Sequence, residues 1–358
     1  MAEQNGKQTI GPIRIGKRML GEGAPTYIVA EMSANHNQDY HRALEIVHAA
    51  AEAGADAIKL QTYTADTITI DSDKPYFRIS GGTLWDGETL HSLYEKAYTP
   101  WEWQPRIMEE AAKLGMDCFS SPFDPTAVDF MEEMKMPAYK IASYEITDIP
   151  LIRLCARTGK PVILATGVAH EEEIAAAVTA CREEGNEQLI LLKCVSAYPT
   201  PYEDVNLRMM PGLSDTYHTL CGLSDHTMGS AVPVAAVALG AAMVEKHMTL
   251  RRSDGGPDGA FSMEPEEFRA MVQDIRKVEK ALGSAEYRLT PFQEEEHSGA
   301  RSLFVVKNIA EGEILTKENI RSIRPGNGLP PARMQEILGK KAAHSLERGE
   351  PLREGDFV

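Results

Sequence analysis

His226 follows a short apolar run at 220–224, and His247 closes another at 243–247. A lone histidine is most often structural, but two imidazoles carried by the ends of adjacent strands can meet at one metal ion. Beside Glu31 and Asp225, and with only two nitrogen donors, the remaining coordination positions fall to water or substrate oxygen. Such an open site suits Mn2+, with Mg2+ or Co2+ as alternatives, better than structural Zn2+. It would polarise a carbonyl as a Lewis acid.

Lys59 and Lys140 pose a second chemical question, because both sit in apolar runs where an unpaired ammonium is costly. Three readings are open. One is a salt bridge to Glu31 or Glu145. Another is a phosphate or carboxylate held by both cations and by the hydroxyls of Ser143, Ser196 and Ser224. The third is a Schiff-base lysine.

These residues are far apart in sequence and need a scaffold that gathers them. Short apolar or β-branched runs at 27–31, 55–61, 116–121, 138–143, 161–166, 188–193, 220–224 and 243–247 alternate with helical segments such as HRALEIVHAAAEAG and EEEIAAAVTACREEG, several closed by Gly. About eight strand-helix repeats predict an α/β fold, a (β/α)8 TIM barrel. Its active face lies at the C-terminal strand ends. Here those ends carry Glu31, Lys59 and Gln61, Ser120 and Ser121, Lys140 with Ser143 and Glu145, Thr166, Lys193 and Ser196, Ser224 with Asp225 and His226, and Glu245 with His247. The long connection 62–99 and the run RRSDGGPDGAFSM are expected over the barrel mouth.

The barrel is expected to occupy 1–284 and a charged, aperiodic linker 285–300. A small β-rich domain follows at 301–358, with strands SLFVVK and HSL. A domain of about 60 residues buries little surface alone, so docking or dimerisation is expected.

Composition narrows the partners. The 358 residues are 43% hydrophobic and 25% charged, with a formal net charge of −16. That acidity argues against nucleic acid and against an anionic membrane surface, while converging lysines can still bind a small anion. The most apolar stretch, 231–244, is interrupted by Pro233 and Gly240 and falls short of the ~20 residues that cross a bilayer. The start MAEQNGKQTI lacks the features of a secretory signal, so a cytoplasmic location is expected. Five cysteines without a CxxC pair read as core residues.

In chain order, AEMSANHNQD, GADAIKLQTYT, YKIAS, LATG, YPTPYEDVNL, GLSDHT and EKHMTL resemble the sialic acid synthase family. SLFVVKNIAEGEILTKENIRSIRPGNG and LGKKAAHSLERGEPLREGDF resemble that family's C-terminal antifreeze-like (SAF) domain. The resemblance implies condensation of phosphoenolpyruvate with an acylamino sugar aldehyde. It implies phosphoenolpyruvate bound by Lys59, Gln61, Lys140, Ser143, Thr166, Ser196 and Ser224, and a divalent metal held by His226 and His247. The sugar would be held by Tyr198, Asp258 and Arg324, with Glu31, Lys59, Lys140 and Glu145 as catalytic groups. It further implies a domain-swapped homodimer in which Arg324 reaches the sugar in the partner's barrel. The GGTLWDG, SANH and KLQTYT versions of the motifs are similar to the branch acting on a diacetamido-trideoxy sugar. N-acetylneuraminate or legionaminate synthesis is the nearest alternative, a Schiff-base aldolase a further one, and a carbohydrate- or ice-binding protein the non-enzymatic one. Two departures stand out: Ala165-Thr166-Gly167 replaces the usual Ser-Thr-Gly, removing one hydroxyl from the expected phosphate site, and Ser196 replaces Asn.

Overall fold

The computed structural model describes residues 10–80 and 82–358 and divides into two compact units, one ending at Gly283 and the other Ser284–Val358. The first begins with a hairpin of β1 (Ile13–Ile15) and β2 (Arg18–Leu20). Eight parallel strands follow: β3 (Tyr27–Glu31), β4 (Ala57–Thr62), β5 (Asp117–Pro122), β6 (Tyr139–Ile141), β7 (Val162–Ala165), β8 (Leu189–Lys193), β9 (Leu220–Asp225) and β10 (Met243–His247). They pair in sequence order, and β10 closes onto β3. Each lies within two residues of its expected run at either end, which makes the fold the TIM barrel expected from the alternation.

Alternate strand residues face opposite sides. Val29, Ala57, Phe119, Ala138, Ile163, Ile190, Leu192 and Met243 form a core of their own inside the barrel. Ile28, Ile58, Leu60, Leu191 and Val244 instead pack with the outer helices. Two residues beyond the interior set, on the same face, come Glu31, Lys59, Ser121, Lys140 and Glu245. Along β3, β4, β6 and β10 the interior thus changes from apolar to charged, and the charged layer lies at the C-terminal ends.

The β1–β2 hairpin was not foreseen, because three-residue strands carry too little periodicity. Ile13, Ile15 and Leu20 join the interior core at the N-terminal strand ends and plug that side of the barrel. Asp117 holds the turn by accepting from the Lys17 amide at 3.3 Å and the Tyr27 hydroxyl at 2.9 Å. Only glycine fits at Gly16, where φ is +52° and a Cβ would lie 2.0 Å from Asp117 Oδ1.

The connection after β4 carries the helix Leu90–Ala97. In the second unit, β11 (Ser302–Val305) pairs antiparallel with β12 (Ile320–Ile323) around a core of Leu303, Val305, Ile309, Leu315 and Leu352. HSL is not a strand: it contributes one isolated bridge, Ile309 to Leu346, because only Leu346 of the three is buried. The 285–300 stretch contains a helix, Pro291–His297, capped by Thr290. Every residue of that helix is exposed, so it has no apolar face for sequence periodicity to report. Among the described residues, no helix is long and apolar enough to cross a membrane.

Candidate active site

At the charged end of the barrel, one carboxylate holds both Lys59 and Lys140. Lys140 Nζ lies 2.9 and 3.0 Å from the two Glu245 oxygens, and Lys59 Nζ lies 2.8 Å from Glu245 Oε1. Lys59 also pairs with Glu31 Oε2 at 2.8 Å, and Ser224 Oγ donates to Glu245 at 3.0 Å. The salt-bridge reading was therefore right about Glu31 and wrong about Glu145: the carboxylate joining the two cations is Glu245. Its position follows from β10, where it stands two residues before His247 on the inner face. Burial opposes its charge, yet Lys140 and Lys59 hold it well below the usual carboxylate range. Burial draws the Lys59 ammonium down to about 7 against the pull of Glu245, with the like charge of Lys140 adding to the fall.

Beside the lysines is a cradle of small groups. The Gly167 amide donates to Ser143 Oγ at 3.1 Å. A Cβ at Gly167 would come 2.5 Å from Ser196 Oγ and 2.6 Å from Ser143 Oγ, so glycine is what lets these hydroxyls converge. Ser196 Oγ and Ser121 Oγ are buried with no protein partner, which is costly unless a ligand or water completes them. Ala165 is buried at the end of β7 and leaves the cradle without the hydroxyl noted above. Thr166 does not supply it, because its hydroxyl donates to the Leu192 carbonyl at 3.1 Å.

The two histidines meet as expected, with ring centroids 5.2 Å apart. His226 Nδ1 donates to the Val195 carbonyl at 2.9 Å, which leaves Nε2 as the nitrogen that would ligate. Burial lowers the pKa of this imidazole, but Cys194 and the Val195 carbonyl raise it overall, so ligation would require loss of the Nε2 proton. His247 Nδ1 is buried without a partner, and burial, His226 and Lys59 hold its imidazole well below its ordinary pKa, in the neutral ligating form. Among the described residues no cluster of three or more His, Cys, Asp or Glu forms a closed metal site. The donors present fit an open two-histidine site.

Facing this centre is a second group of side chains. Gln61 donates to Glu31 at 3.1 Å and to Ser33 at 2.9 Å, while Ser33 Oγ donates to Asp258 at 2.5 Å. Burial raises the Asp258 carboxyl, opposed by Ser33 and the Ala34 amide. Tyr198 packs 4.4 Å from His226 and 5.0 Å from Phe261, which lies 5.1 Å from His247. Glu145 has one buried oxygen without a partner, and burial with help from Asp148 pushes its carboxyl up to about 7.

Not every polar strand end converges. Asp225, expected beside the histidines, instead pairs with Lys246 at 2.5 Å and takes the Thr227 hydroxyl at 2.9 Å. Ser120 bonds Thr62 at 2.6 Å, and Lys193 donates to the Cys194 carbonyl at 2.8 Å. The two-residue alternation explains this, since Ser120, Lys193 and Asp225 stand one residue off the inward set. Arg324 lies in the second unit, directly after β12.

Cys194, read only as core, is placed here too: its Sγ is 3.9 Å from His226 Nδ1, and His226 with Lys140 draws the thiol down to about 7 although burial pushes it up. Sequence reasoning also gave no role to Ser33, which stands inside the SANH motif, or to Glu245.

Comparison with known proteins places the chain. The NeuB family profile matches residues 46–287 and the SAF domain profile matches 300–358. The pseudaminic acid synthase of Helicobacter pylori is 48% identical over 334 residues, covering 93% of this chain and 98% of that protein. That of Campylobacter jejuni (serotype O:23/36) is 47% identical over 331 residues, covering 92% and 96%. The crystal structure of N-acetylneuraminic acid synthetase from Leptospira borgpetersenii superposes with a TM-score of 0.71 at 32% identity, covering 80% of this chain and 95% of that one. The chain belongs to the NeuB family of sialic acid synthases, as a TIM barrel followed by a SAF domain.

Proposed function

We propose that this protein condenses phosphoenolpyruvate with 2,4-diacetamido-2,4,6-trideoxy-L-altrose to give pseudaminic acid and phosphate. The observation that carries the chemistry is the pair of buried ammonium groups on Glu245, next to the unpartnered Ser196 hydroxyl and two imidazoles 5.2 Å apart. Lys59 and Lys140 offer charge-assisted bonds to the phosphate or carboxylate. Ser143, Ser196 and the Gly167 backbone fit the remaining oxygens. His226 and His247 would hold a divalent metal, Mn2+ by preference, which when bound polarises the aldehyde. C3 of phosphoenolpyruvate attacks the aldehyde carbon, water adds at C2, and the C2–O bond to phosphate breaks to leave the 2-keto acid. Glu145 is poised to move a proton in these steps, because its carboxyl titrates near neutrality. Tyr198, Phe261 and Trp85 form an apolar wall beside the histidines that suits a sugar bearing methyl and acetamido groups.

We read the active form as a cytoplasmic domain-swapped homodimer, with Arg324 of one copy reaching the sugar in the other. Tyr144, Val168 and Tyr202 are 65%, 46% and 59% exposed on loops at the barrel mouth, an apolar rim that favours a protein cover there.

The test is phosphate release from phosphoenolpyruvate with the deoxy sugar and with N-acetylmannosamine, in metal and in chelator. Metal-dependent release with the deoxy sugar alone is expected, and release with N-acetylmannosamine instead would move the assignment to sialic acid synthesis. Gly167→Ala is expected to raise the phosphoenolpyruvate KM about tenfold, from an overpacking cost of about 1–3 kcal/mol. An unchanged KM would remove Gly167 from the cradle.

A further inference from the structure

The 62–99 connection presents Trp85 from a closed loop. Arg78 bridges Thr89, the Ile79 amide donates to Glu88 and the Gly87 amide returns to Ile79. At its tip Asp86 accepts from the Gly82 amide at 2.8 Å, from the Thr83 amide at 2.9 Å and from the Thr83 hydroxyl at 2.7 Å. The side chain of Trp85 is thus held by backbone that is itself fixed, and it reaches two other loops. Its indole N–H donates to the Pro257 carbonyl at 2.9 Å, and its ring packs edge-on against Tyr198 at 5.8 Å. Pro257 is covalently joined to Asp258, whose carboxylate takes Ser33. Tyr198 leans on His226.

We propose that Trp85 is a positioning residue for the sugar acceptor: it ties the 62–99 insertion to both Asp258 and Tyr198 and so fixes the sugar side of the site as a unit. This rests on the reading above that Asp258 and Tyr198 face the sugar. The indole N–H is occupied by Pro257, so Trp85 acts by placing its neighbours rather than by donating to substrate. Its two contacts are to the Pro257 carbonyl and the Tyr198 ring, and it makes none with Lys59, Lys140 or Gly167, the groups that hold the anion. The consequence is selective: loss of Trp85 weakens the acceptor and leaves phosphoenolpyruvate binding intact.

Steady-state kinetics of Trp85→Phe and Trp85→Ala in the full-length protein test this. Trp85→Phe keeps a ring on Tyr198 and loses the N–H bond, and is expected to raise the acceptor KM about fivefold. Trp85→Ala loses both and is expected to raise it about fiftyfold. The phosphoenolpyruvate KM should stay within about twofold in both, the split that distinguishes positioning of one substrate from general damage. An acceptor KM unchanged in Trp85→Ala, or equal rises in both KM values, would overturn the proposal. If Trp85→Ala does not fold, Trp85→Phe decides the matter alone. Whichever sugar the wild type uses serves as the acceptor, so a wrong sugar assignment appears in the wild type while a wrong role for Trp85 appears only in the variants.

Discussion

Replacing Glu245 by Gln is expected to destabilise the barrel by about 3–5 kcal/mol, the cost of leaving buried charges without their partner. Lys140 loses both its carboxylate contacts and Lys59 loses one of two. For a unit of this size each kcal/mol lowers the melting midpoint by about 2–4 °C. The variant has two signatures that a simple packing defect lacks. Phosphoenolpyruvate should raise its midpoint by more than it raises that of the wild type, because the ligand restores the missing negative charge. Its stability should also rise with pH relative to that of the wild type. Burial draws Lys59 down to about 7 and Glu245 pulls it up, so without Glu245 its folded-state pKa falls further. In the interval below about 7 the variant's folded state binds fewer protons than the wild type's, and its deficit relative to the wild type shrinks as pH rises. A variant that melts like the wild type, with the same response to ligand, would show that Glu245 does not hold the two cations together.

Removing one imidazole is expected to abolish turnover. His247→Ala should lower phosphate release by about 10³-fold, the several kcal/mol that a Lewis acid contributes to charge development at a carbonyl. The partner measurement is independent of activity: Mn2+ titrated into wild type and variant, with free ion followed by electron paramagnetic resonance. Tight binding by the wild type and loss of affinity in the variant are expected. Turnover that survives both chelation and His247→Ala would exclude the metal from the chemistry.

Much of this was legible in the sequence, and the reasons are specific. Buried parallel strands read as apolar runs, so the barrel strands could be placed within two residues. His226, His247, Lys59 and Lys140 stood out because polar groups are expensive in such runs. What could not be read was which polar end turns inward. Ser224, Glu245 and His247 face the interior, whereas Asp225 and Lys246, one residue away, pair on the other face. That choice depends on register and barrel closure, which link segments as distant as β3 and β10. Glu245 was legible as a polar strand end, but its role was not, for the same reason: its partners are 186 and 105 residues away, and no local pattern announces them. The second unit was harder still, because it is held by isolated bridges rather than by long strands.

The hairpin that plugs the N-terminal end of the barrel bears on the order of events at the other end. The packed interior offers no passage through the barrel, and the hairpin adds to that packing at its N-terminal end, so a ligand would reach the charged layer from the C-terminal face. The lysines and Glu245 project from within the strands, while Ser33, Tyr198 and Asp258 belong to the loops beyond them. If the loops hold one substrate and the lysines the other, the occupant of the lysines is expected to enter first, an order that product-inhibition kinetics would reveal. Such an order would rest on the packed interior of the barrel, to which two three-residue strands add a floor on the side opposite the charged layer.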